Sequence, residues 1–381
     1  MKYITTTAEL EIVCNRLQNA DFVTVDTEFL RDNTYYPLLC LIQIADDHDA
    51  HAIDPLAEDM DLSAFWDLMK NPDIIKVMHA CRQDMEIMFN EMQSLPTPVF
   101  DTQVAASVCG FGDSVGYETL VNKIAKKSID KSSRYTDWSR RPLTDKQLDY
   151  AIGDVTHLRK IYSYLSTRMN DKGRYNWMDD EMSILTSEST YNIDPKAVWK
   201  RVKVRTNNAR FLGVLTQIAE WRELQAIERN IPRNRVCKDD VLLEICAHPP
   251  KKAEDLDKIR GLSKGFSRSK GGIALMSFIE AGMAIPDDEL PKVARSKPRK
   301  SPPPMVDLLK VLLKIRCTEE GVAPRLVASS ADIEAIALDP EAEIKAVSGW
   351  RYDIFGKDAL ALINGKMALT SDQGQIKVTS I

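Results

Sequence analysis

The sequence lacks the features by which membrane, secreted and zinc-binding proteins are recognised. It has no run of about 18 apolar residues, and its N-terminus has no apolar segment of signal-peptide length. No two cysteines have Cys-x-x-Cys spacing, and their odd number leaves no complete disulfide framework. These cysteines are Cys14, Cys40, Cys81, Cys109, Cys237, Cys246 and Cys317. This pattern is typical of a reducing cytoplasm, so we expect a cytoplasmic protein with no membrane partner.

The composition is that of a globular protein with more than one domain. With 381 residues, of which 44% are hydrophobic, the chain is long enough for two or three domains with real cores. The formal net charge is −5. On its own, this charge argues against a nucleic-acid-binding protein.

The charge is, however, unevenly divided along the chain. Residues 191–300 contain 23 Lys plus Arg against 14 Asp plus Glu, a net charge of +9, so the remaining residues sum to −14. Residues 196–210 carry six cations and no acid. We interpret this run as a surface that binds the phosphates along a nucleic-acid backbone, with Lys200, Arg201 and Lys203 as candidate substrate-binding residues.

Two carboxylates lie on a predicted buried strand. The apolar and β-branched residues from Phe22 to Leu30 are typical of such a strand. Asp26 and Glu28 are two residues apart and therefore point to the same face, with Cα atoms roughly 7 Å apart. Because these carboxylates repel each other and lose hydration, they need a compensating cation. Oxygen ligands favour Mg²⁺ or Mn²⁺ over zinc, although Asp-x-Glu alone also occurs on solvated strand edges.

A later segment presents a phenol and a carboxylate on one helix face. Apolar residues between positions 148 and 165 recur at helical spacing, and Thr144 or Asp145 is the expected N-cap. Tyr150 and Asp154 are four residues apart, so their side chains can converge on one site. A surface tyrosine above a solvated aspartate is the alternative for this pair alone.

A third acid, Asp84, is predicted near the start of a helix that follows a buried strand from Ile74 to Met78. An acid in the first helical turn most often stabilises the helix dipole. Taken singly, each of these elements therefore also has a purely structural interpretation.

The three segments stand in the order of a known set of motifs. DTEF (26–29), HACRQD (79–84) and YAIGDV (150–155) resemble the exonuclease motifs of the DEDD superfamily, and the tyrosine is typical of its DEDDy branch. The longer runs DTEFLRDNTYYPLLCLIQIA and YTDWSRRPLTDKQLDYAIGDV resemble bacterial ribonuclease D. The resemblance implies an α/β, ribonuclease H-like exonuclease domain in residues 1–195. All five motif positions hold the residue types of the family.

The resemblance also implies a role for each motif residue. In such enzymes two divalent cations, Mg²⁺ or Mn²⁺, clamp the attacking and leaving oxygens of an in-line phosphoryl displacement. Asp26 would bridge both ions. Glu28 and Asp154 would complete the first site, and Asp84 would hold the second ion through water. Tyr150 would orient the attacking water, because a phenol with a pKa of about 10 is a poor general base at neutral pH.

The roles of two residues beside the motifs, Phe29 and His79, remain open. Phe29 could stack on a terminal base of a single-stranded substrate, or it could belong to the core. His79 could contact a phosphate, but a satisfied structural histidine is the commoner case, and we leave it out of the predicted site.

Beyond Pro195 the strand signals fade and helices are predicted, among them Asn208 to Arg229 and a last helix near Gly272 to Ala284. The runs WREL, NIPRNRVCKDDVLLEIC and LDKIRGL resemble the HRDC domain shared by RecQ helicases and ribonuclease D. We assign residues 205–290 to a first small all-α HRDC-type domain.

The same plan recurs in residues 305–381, after a Pro- and Lys-rich linker at 291–304. Pro324 matches Pro232, at an offset of roughly 90 residues, which exceeds the period of about 20 to 50 residues of a solenoid. We therefore predict a second, more diverged all-α HRDC-type domain. It could bind RNA, as such modules do in the family, or it could be a packing partner of the first domain.

The predicted function is that of a metal-dependent 3′-to-5′ exoribonuclease. The resemblance implies structured RNA with a free 3′ end as the partner, and precursor tRNA as the substrate. A DNA-directed 3′-to-5′ exonuclease shares the same three motifs, and a non-catalytic RNA-binding adaptor is the alternative from another class. The five intact site residues argue against the adaptor. No feature of the sequence indicates an oligomer.

Overall fold

A mixed six-stranded sheet forms the framework of the N-terminal part, in a computed structural model that describes residues 2–130, 132–292 and 303–381. Its strands are β1 (Lys2–Ile4), β2 (Phe22–Leu30), β3 (Leu38–Ala45), β4 (Ala50–Ile53), β5 (Ile75–Met78) and β6 (Val99–Asp101). They are ordered β1-β4-β3-β2-β5-β6 across the sheet. The predicted strand at Phe22 to Leu30 is confirmed, and it is an interior strand, antiparallel to β3 and parallel to β5.

Helices cover the two faces of β2. The helices of this part are α1 (Thr7–Leu17), α2 (Ser63–Lys70), α3 (Arg82–Met92), α4 (Thr102–Val108), α5 (Tyr117–Leu120), α6 (Asp145–Asp171) and α7 (Asp179–Leu185). Val23 and Val25 pack with α1, α2 and α3 in one apolar cluster. Thr24, on the opposite face, donates a hydrogen bond of 2.9 Å to the carbonyl of Val155 in α6. Since side chains alternate along a strand, the residues of β2 are divided between α6 and the other three helices.

The long helix α6 begins where the sequence predicts. Thr144 is its N-cap: its hydroxyl accepts from the Gln147 N–H at 3.3 Å, and the Gln147 side chain accepts from the Thr144 N–H at 3.1 Å. This reciprocal capping satisfies two N–H groups that have no partner inside the helix. It also sets the register in which α6 presents Tyr150 and Asp154.

The C-terminal half contains the predicted helical repeat. The first copy consists of α8 (Ala209–Glu228), α9 (Arg233–Val236), α10 (Asp239–Ala247) and α11 (Lys270–Ala284). The second consists of α12 (Met305–Glu320), α13 (Pro324–Val327), α14 (Ser330–Leu338), α15 (Gly349–Arg351) and α16 (Lys357–Ile363). Pro232 and Pro324 each stand at the start of the short second helix of their copy. The fold class, an α/β exonuclease domain followed by a helical region, is confirmed.

One detail of the fold prediction was wrong, because the second helical copy is not all-α. After α16 the chain forms a hairpin of β7 (Met367–Asp372) and β8 (Gln375–Ser380). Its two-residue turn, Gln373 and Gly374, has positive φ angles of 50° and 81°. A turn with two positive φ angles matches the twist of a hairpin and favours glycine, so the Gln-Gly pair between alternating apolar residues was the signal for these strands.

The second helical copy shares one hydrophobic core with the exonuclease part. Val77, Leu158 and Ile161 belong to the same cluster of buried side chains as Leu309 and Phe355. The backbones also meet, since the Ala323 N–H donates to the Ser107 carbonyl at 2.8 Å. This continuity favours the interpretation of the second copy as a packing partner.

Aromatic and arginine side chains reinforce this contact. The rings of Trp177 and Trp350 are stacked, with centroids 4.2 Å apart and planes 6° from parallel. Arg174 lies over Trp177 and Arg351 over Trp350, at 4.2 and 4.4 Å. Each arginine also crosses the contact to an acid, Arg174 to Glu320 at 2.6 Å and Arg351 to Asp180 at 2.5 Å. Stacked guanidinium and aromatic groups of this kind are favourable where they are shielded from water.

Some expectations fall outside what the structure describes. Most of the predicted linker at 291–304 lies outside the described residues, which exclude 293–302. The predicted boundaries at 195, 205–290 and 305–381 remain a proposal. Within residues 2–130, 132–292 and 303–381, no helix has both the length and the apolar character needed to cross a bilayer.

Replacing Gly110 by Ala should loosen the contact between the exonuclease part and the second helical copy. Gly110 has a φ angle of +78°, and an added Cβ would lie 2.5 Å from the Gly321 carbonyl oxygen. We expect a loss of about 3 kcal/mol in the free energy of unfolding, from the left-handed backbone and the overpacking together. Denaturant titration of the full chain measures this loss.

Gly173→Ala is the matched control for that substitution. Gly173 has a φ angle of +62° but no atom within 4 Å of an added Cβ. We expect it to cost only about 1 kcal/mol. Equal losses in the two variants would mean that the contact of Gly110 with Gly321 contributes nothing.

Candidate metal centre and active site

Three of the predicted site residues come together at one point. Asp26, Glu28 and Asp154 each offer a carboxylate oxygen, and these oxygens all lie within 4.8 Å of one another. All three side chains are partly buried. Asp26 and Glu28 share the face of β2 that α6 covers, so the helix brings Asp154 and Tyr150 to the same face. The expectation that strand and helix spacing would converge on one site agrees with this arrangement.

Contacts on the backbone of α6 hold it at this distance. The Tyr117 hydroxyl contacts the Asp154 carbonyl at 2.7 Å and the Gly153 carbonyl at 3.0 Å. Upstream of the helix, Arg141 donates two bonds of 2.6 Å to Asp54, which is only 3% exposed. A bidentate, shielded pair of this type fixes orientation as well as distance. The segment that leads into α6 is thereby tied to the end of β4.

The fourth acid, Asp84, is not part of the group of three. It is buried and accepts a hydrogen bond of 2.5 Å from the Thr27 hydroxyl. Thr27 lies between Asp26 and Glu28 on β2, so its side chain points to the opposite face, where α3 packs. Asp101 fixes the approach to α3 by accepting from the N–H groups of Ala80 and Cys81 at 3.1 and 2.9 Å. The structure therefore places Asp84 outside the group of three, although its charge still raises the pKa of Asp26 and of Glu28.

The pKa values show how strongly the centre disfavours its own negative charge. Burial and the charges of the other acids raise the pKa of Asp26 well above its usual range. Burial and the charges of Asp154 and Asp84 raise the pKa of Glu28 to about 9. Burial raises the pKa of Asp154 to about 7, although Arg134 and a hydrogen bond from Tyr150 oppose the shift. Burial also raises the pKa of Asp84 to about 6, against the hydrogen bond from Thr27.

Tyr150 is held as a protonated phenol beside these acids. Burial and the charges of Asp154, Glu28 and Asp26 raise its pKa above the usual range. Its ring lies 6.2 Å from that of Trp138. Because the phenol does not ionise at neutral pH, Tyr150 can donate a hydrogen bond but is a poor group to remove a proton.

The sequence analysis missed three residues around this centre. A cavity of about 430 Å³ opens at the acids, and Arg134, Tyr117 and His79 line it together with Asp26, Tyr150 and Asp154. Arg134 is exposed, and its charge lowers the pKa of Glu28 against the larger effects that raise it. His79 bonds through Nδ1 to the Thr102 hydroxyl at 3.0 Å. No spacing relation connects Arg134 or Tyr117 to the motifs, so local pattern could not have found them, whereas His79 was considered and left out.

The remaining candidate residues lie away from the three acids. Phe29 is partly buried and packs on the apolar cluster between β2 and helices α1 and α2, which favours the core interpretation. Lys200, Arg201 and Lys203 are exposed in or just after the 3₁₀ segment Pro195–Arg201. Of these, Arg201 lines cavities between the exonuclease part and the first helical copy.

The group of three acids fits a hard divalent cation. All its donors are carboxylate oxygens, which Mg²⁺ and Mn²⁺ accept and which zinc sites rarely use alone. The raised pKa values have the physical cause that a cation would remove, because uncompensated negative charges lie close together at partly buried positions. Among the described residues, this is the one group of three or more Asp, Glu, His or Cys side chains close enough to share an ion.

Comparisons with known proteins agree with this geometry. A family profile described as 3′-5′ exonuclease matches residues 1–170, and one described as HRDC domain matches residues 211–279. The ribonuclease D of Jannaschia sp. (strain CCS1) is 49% identical over 385 residues, covering 99% of this chain and 99% of that protein. The chain belongs to the ribonuclease D family.

Other members extend the similarity over the full length. The ribonuclease D of Granulibacter bethesdensis is 46% identical over 377 residues, covering 98% of this chain and 95% of that protein. The crystal structure of Escherichia coli RNase D superposes with a TM-score of 0.77 at 28% identity, covering 95% of this chain and 98% of that one. The ribonuclease D family member described here is thus a 3′-to-5′ exoribonuclease that uses a divalent metal and acts on RNA. The five motif residues are its candidate catalytic residues.

Replacing Asp154 by Asn should stabilise the metal-free protein at high pH. Because the folded-state pKa of Asp154 is raised, the folded protein binds more protons than the unfolded chain between about pH 4 and 7, and its free energy of unfolding falls as the pH rises through that window. We expect a gain of about 2 kcal/mol at pH 8 that shrinks toward pH 4. Thermal or denaturant unfolding in EDTA measures it.

Asp149→Asn is the control, since Asp149 lies on the same helix but is exposed. It should change stability little at either pH. A loss of stability in Asp154→Asn at pH 8 would contradict the interpretation that repulsion dominates at this position.

Divalent cations should stabilise the wild-type protein more at pH 8 than at pH 5.5. Protons compete with the ion for the raised-pKa carboxylates, so the apparent affinity rises with pH. At a free Mn²⁺ or Mg²⁺ concentration of about 100 times Kd, the gain in unfolding free energy is about 2.7 kcal/mol. Melting curves with and without metal measure the gain, and Asp26→Asn should remove most of it. A gain that does not depend on pH would place the ion elsewhere.

Proposed function

We propose that this ribonuclease D family member removes nucleotides one at a time from the 3′ end of structured RNA, with precursor tRNA as its substrate class. The observation that carries the proposal is the group of three carboxylates within 4.8 Å of one another, with Tyr150 and Arg134 at the same cavity. The relative from Escherichia coli, described as an exoribonuclease involved in structured RNA processing, supports the substrate class. Precursor tRNA rests on the family resemblance.

Two divalent cations, Mg²⁺ or Mn²⁺, would be held by the acidic residues. Asp26 is the residue proposed to contact both, with Glu28 and Asp154 at the first and Asp84 at the second, through water. The hydrogen bond from Thr27 and the position of Asp84 outside the group of three carboxylates support an indirect role for it. Such ions lower the pKa of bound water and stabilise charge that develops on phosphoryl oxygens.

The side chains around the acids would bind and orient the substrate. Tyr150 keeps its proton, so it donates a hydrogen bond that positions the attacking water or a phosphate oxygen. Arg134 faces the acids from the open side of the cavity, where its guanidinium can pair with a phosphate of the 3′-terminal nucleotide. Tyr117 holds the backbone of α6 and acts by positioning Asp154.

RNA outside this cavity would contact basic surface further along the chain. Lys200, Arg201 and Lys203 are exposed, as a phosphate-tracking surface requires. Phe29 remains a low-ranking candidate for base stacking because of its packing on the core. All seven cysteines are unpaired and buried, which supports the proposed cytoplasmic site of action.

A graded series of variants tests the assignment. With a 5′-labelled, 3′-extended tRNA and Mg²⁺, the wild type should produce a ladder of products shortened stepwise from the 3′ end. Asp26→Asn should lower the rate by more than about 1,000-fold, because it removes charge at the metal centre. Tyr150→Phe should lower it by about 10- to 100-fold, because orientation is lost while the acids remain. Gel analysis of the time course measures both rates.

Matched substrates separate the alternatives. A tRNA with a 3′-terminal phosphate should resist shortening, and EDTA should abolish it. Equal rates on DNA and RNA ends of the same sequence would favour a general 3′-to-5′ exonuclease. Tight tRNA binding without any shortening would favour the non-catalytic RNA-binding adaptor and contradict the proposal.

A further inference from the structure

A cavity of about 640 Å³ lies between the exonuclease part and the first helical copy. A second cavity of about 460 Å³ adjoins it and shares Arg31, Tyr35, Arg201 and Arg233 with it. We call the two together the interdomain cleft. The larger cavity has four arginines, Arg31, Arg82, Arg201 and Arg233, against the acids Glu86 and Glu91.

One wall of the cleft is a fixed contact between the two parts. Glu223 of α8, fully buried, accepts from the Tyr35 hydroxyl at 2.5 Å and pairs with Arg233, whose guanidinium lies 4.9 Å from the Tyr35 ring. The Asn230 side chain accepts from the N–H groups of Tyr35 and Tyr36, at 3.0 and 3.1 Å. The loop between β2 and β3 is thus anchored on the helical copy through both backbone and side chain.

This anchoring leaves the ring of Tyr36 at the mouth of the cleft. Tyr36 is 39% exposed and meets the edge of the Tyr35 ring with centroids 4.8 Å apart. A half-exposed ring that is held by its neighbour loses little conformational freedom when a ligand stacks on it. Stacking on aromatic side chains is the sequence-tolerant mode by which single-stranded nucleic acid is bound.

Two of the four arginines are available to a ligand. Arg31 is bound by Glu86 in a bidentate pair at 2.5 and 2.9 Å, and Arg233 is bound by Glu223. Arg82 and Arg201 are exposed, and neither side chain forms a hydrogen bond or ion pair with any part of the chain that the structure describes. An arginine fork without a carboxylate partner, beside an exposed ring, fits a phosphodiester and its base.

Two elements that carry acids of the active site also contribute residues to the cleft. Arg31 follows directly on β2, three residues after Glu28, and Arg82 opens α3, two residues before Asp84. Since β2 and α3 lead to both sites, the cleft is our candidate for the nucleotides that precede a 3′ end bound in the catalytic cavity.

From this arrangement we infer that the interdomain cleft binds a single-stranded segment of the RNA upstream of the 3′ terminus, with Arg201 and Arg82 on its phosphates and Tyr36 against a base. The inference rests on the proposed function, since it names where the body of that substrate lies. It makes substrate length, and not only the terminal nucleotide, a determinant of affinity.

Binding without turnover tests the inference. Anisotropy of a labelled single-stranded RNA of about 12 nucleotides is measured with the full chain in EDTA, for the wild type and for the double variant Tyr36→Ala/Arg201→Gln. We expect Kd to rise about tenfold in the double variant, from the loss of one stacked base and one phosphate contact. The slope of log K against log salt should become shallower by about 0.7, the value for one phosphate of a single strand.

Arg268→Gln is the matched control, because it removes the same charge from an exposed position of the same helical copy that lines neither cavity. It should bind the RNA like the wild type. Equal Kd values for the wild type and the double variant, or an equal loss in the control, would overturn the inference. If 5′-AMP binds the wild type and not the double variant while the RNA binds both, the cleft is a free-nucleotide site and the inference is likewise wrong.

A kinetic ratio distinguishes this inference from the proposed function. With Mg²⁺, the ratio of kcat/KM for the RNA to that for a dinucleotide should fall about tenfold in the double variant, because only the RNA loses contacts in the cleft. A folding defect would lower both values together and leave the ratio unchanged. A wild type that shortens neither substrate refutes the proposed function, whereas shortening with an unchanged ratio refutes the cleft alone. If circular dichroism shows that the double variant folds poorly, Arg201→Glu alone is measured instead, because Arg201 is exposed. We expect it to weaken RNA binding in the same way.

Discussion

The repulsion among carboxylates that packing forces together is the interaction on which the rest of this structure depends. Asp26, Glu28 and Asp154 approach within 4.8 Å, and each raised pKa shows that the fold holds them there against their own charge. Each pKa unit corresponds to about 1.4 kcal/mol, so the opposing stabilisation has to come from elsewhere. This stabilisation comes from the Thr24 bond to α6, the Tyr117 bonds to the same helix and the apolar layer between β2 and helices α1, α2 and α3. Affinity for a cation is the chemical consequence of this arrangement.

The alternation of side chains along β2 organises the centre. Asp26 and Glu28 face α6, whereas Thr27 faces α3 and binds Asp84. One strand thereby carries two acids of the partly buried group and the hydroxyl that holds the buried fourth acid. Because β2 pairs with β3 along Asp26 and Glu28, while its pairing with β5 ends at Thr24, the strand cannot shift to relieve the repulsion without breaking its ladder with β3. The packing that keeps the acids in place also makes the centre electrostatically unfavourable when no cation is present.

The two copies of one helical plan relate differently to the exonuclease part. The second copy extends the main hydrophobic core, through Leu309 and Phe355 and the stacked tryptophans. The first copy has its own core and meets the exonuclease part through the polar contacts of Tyr35, Glu223 and Arg233. The second copy continues the exonuclease core, with a cavity of about 550 Å³ beside that contact, whereas the polar contact of the first copy borders the interdomain cleft with its available arginines. The same fold therefore acts as a packing element in one position and borders a cleft in the other.

Local periodicity in the sequence determined the elements and the faces of the site. The β2 strand, the Thr144 cap and the register of Tyr150 over Asp154 follow from spacing within a few residues, whereas motif order and resemblance added the family, the first helical copy and its repeat. Tertiary structure alone decided that Thr27 holds Asp84 outside the group of three carboxylates, that Arg134 and Tyr117 join the cavity, and that the last helices complete the exonuclease core. Spacing fixes which way a side chain points from its own element. It carries no information about which distant element packs on that face, because that choice depends on the shape and volume of the whole core.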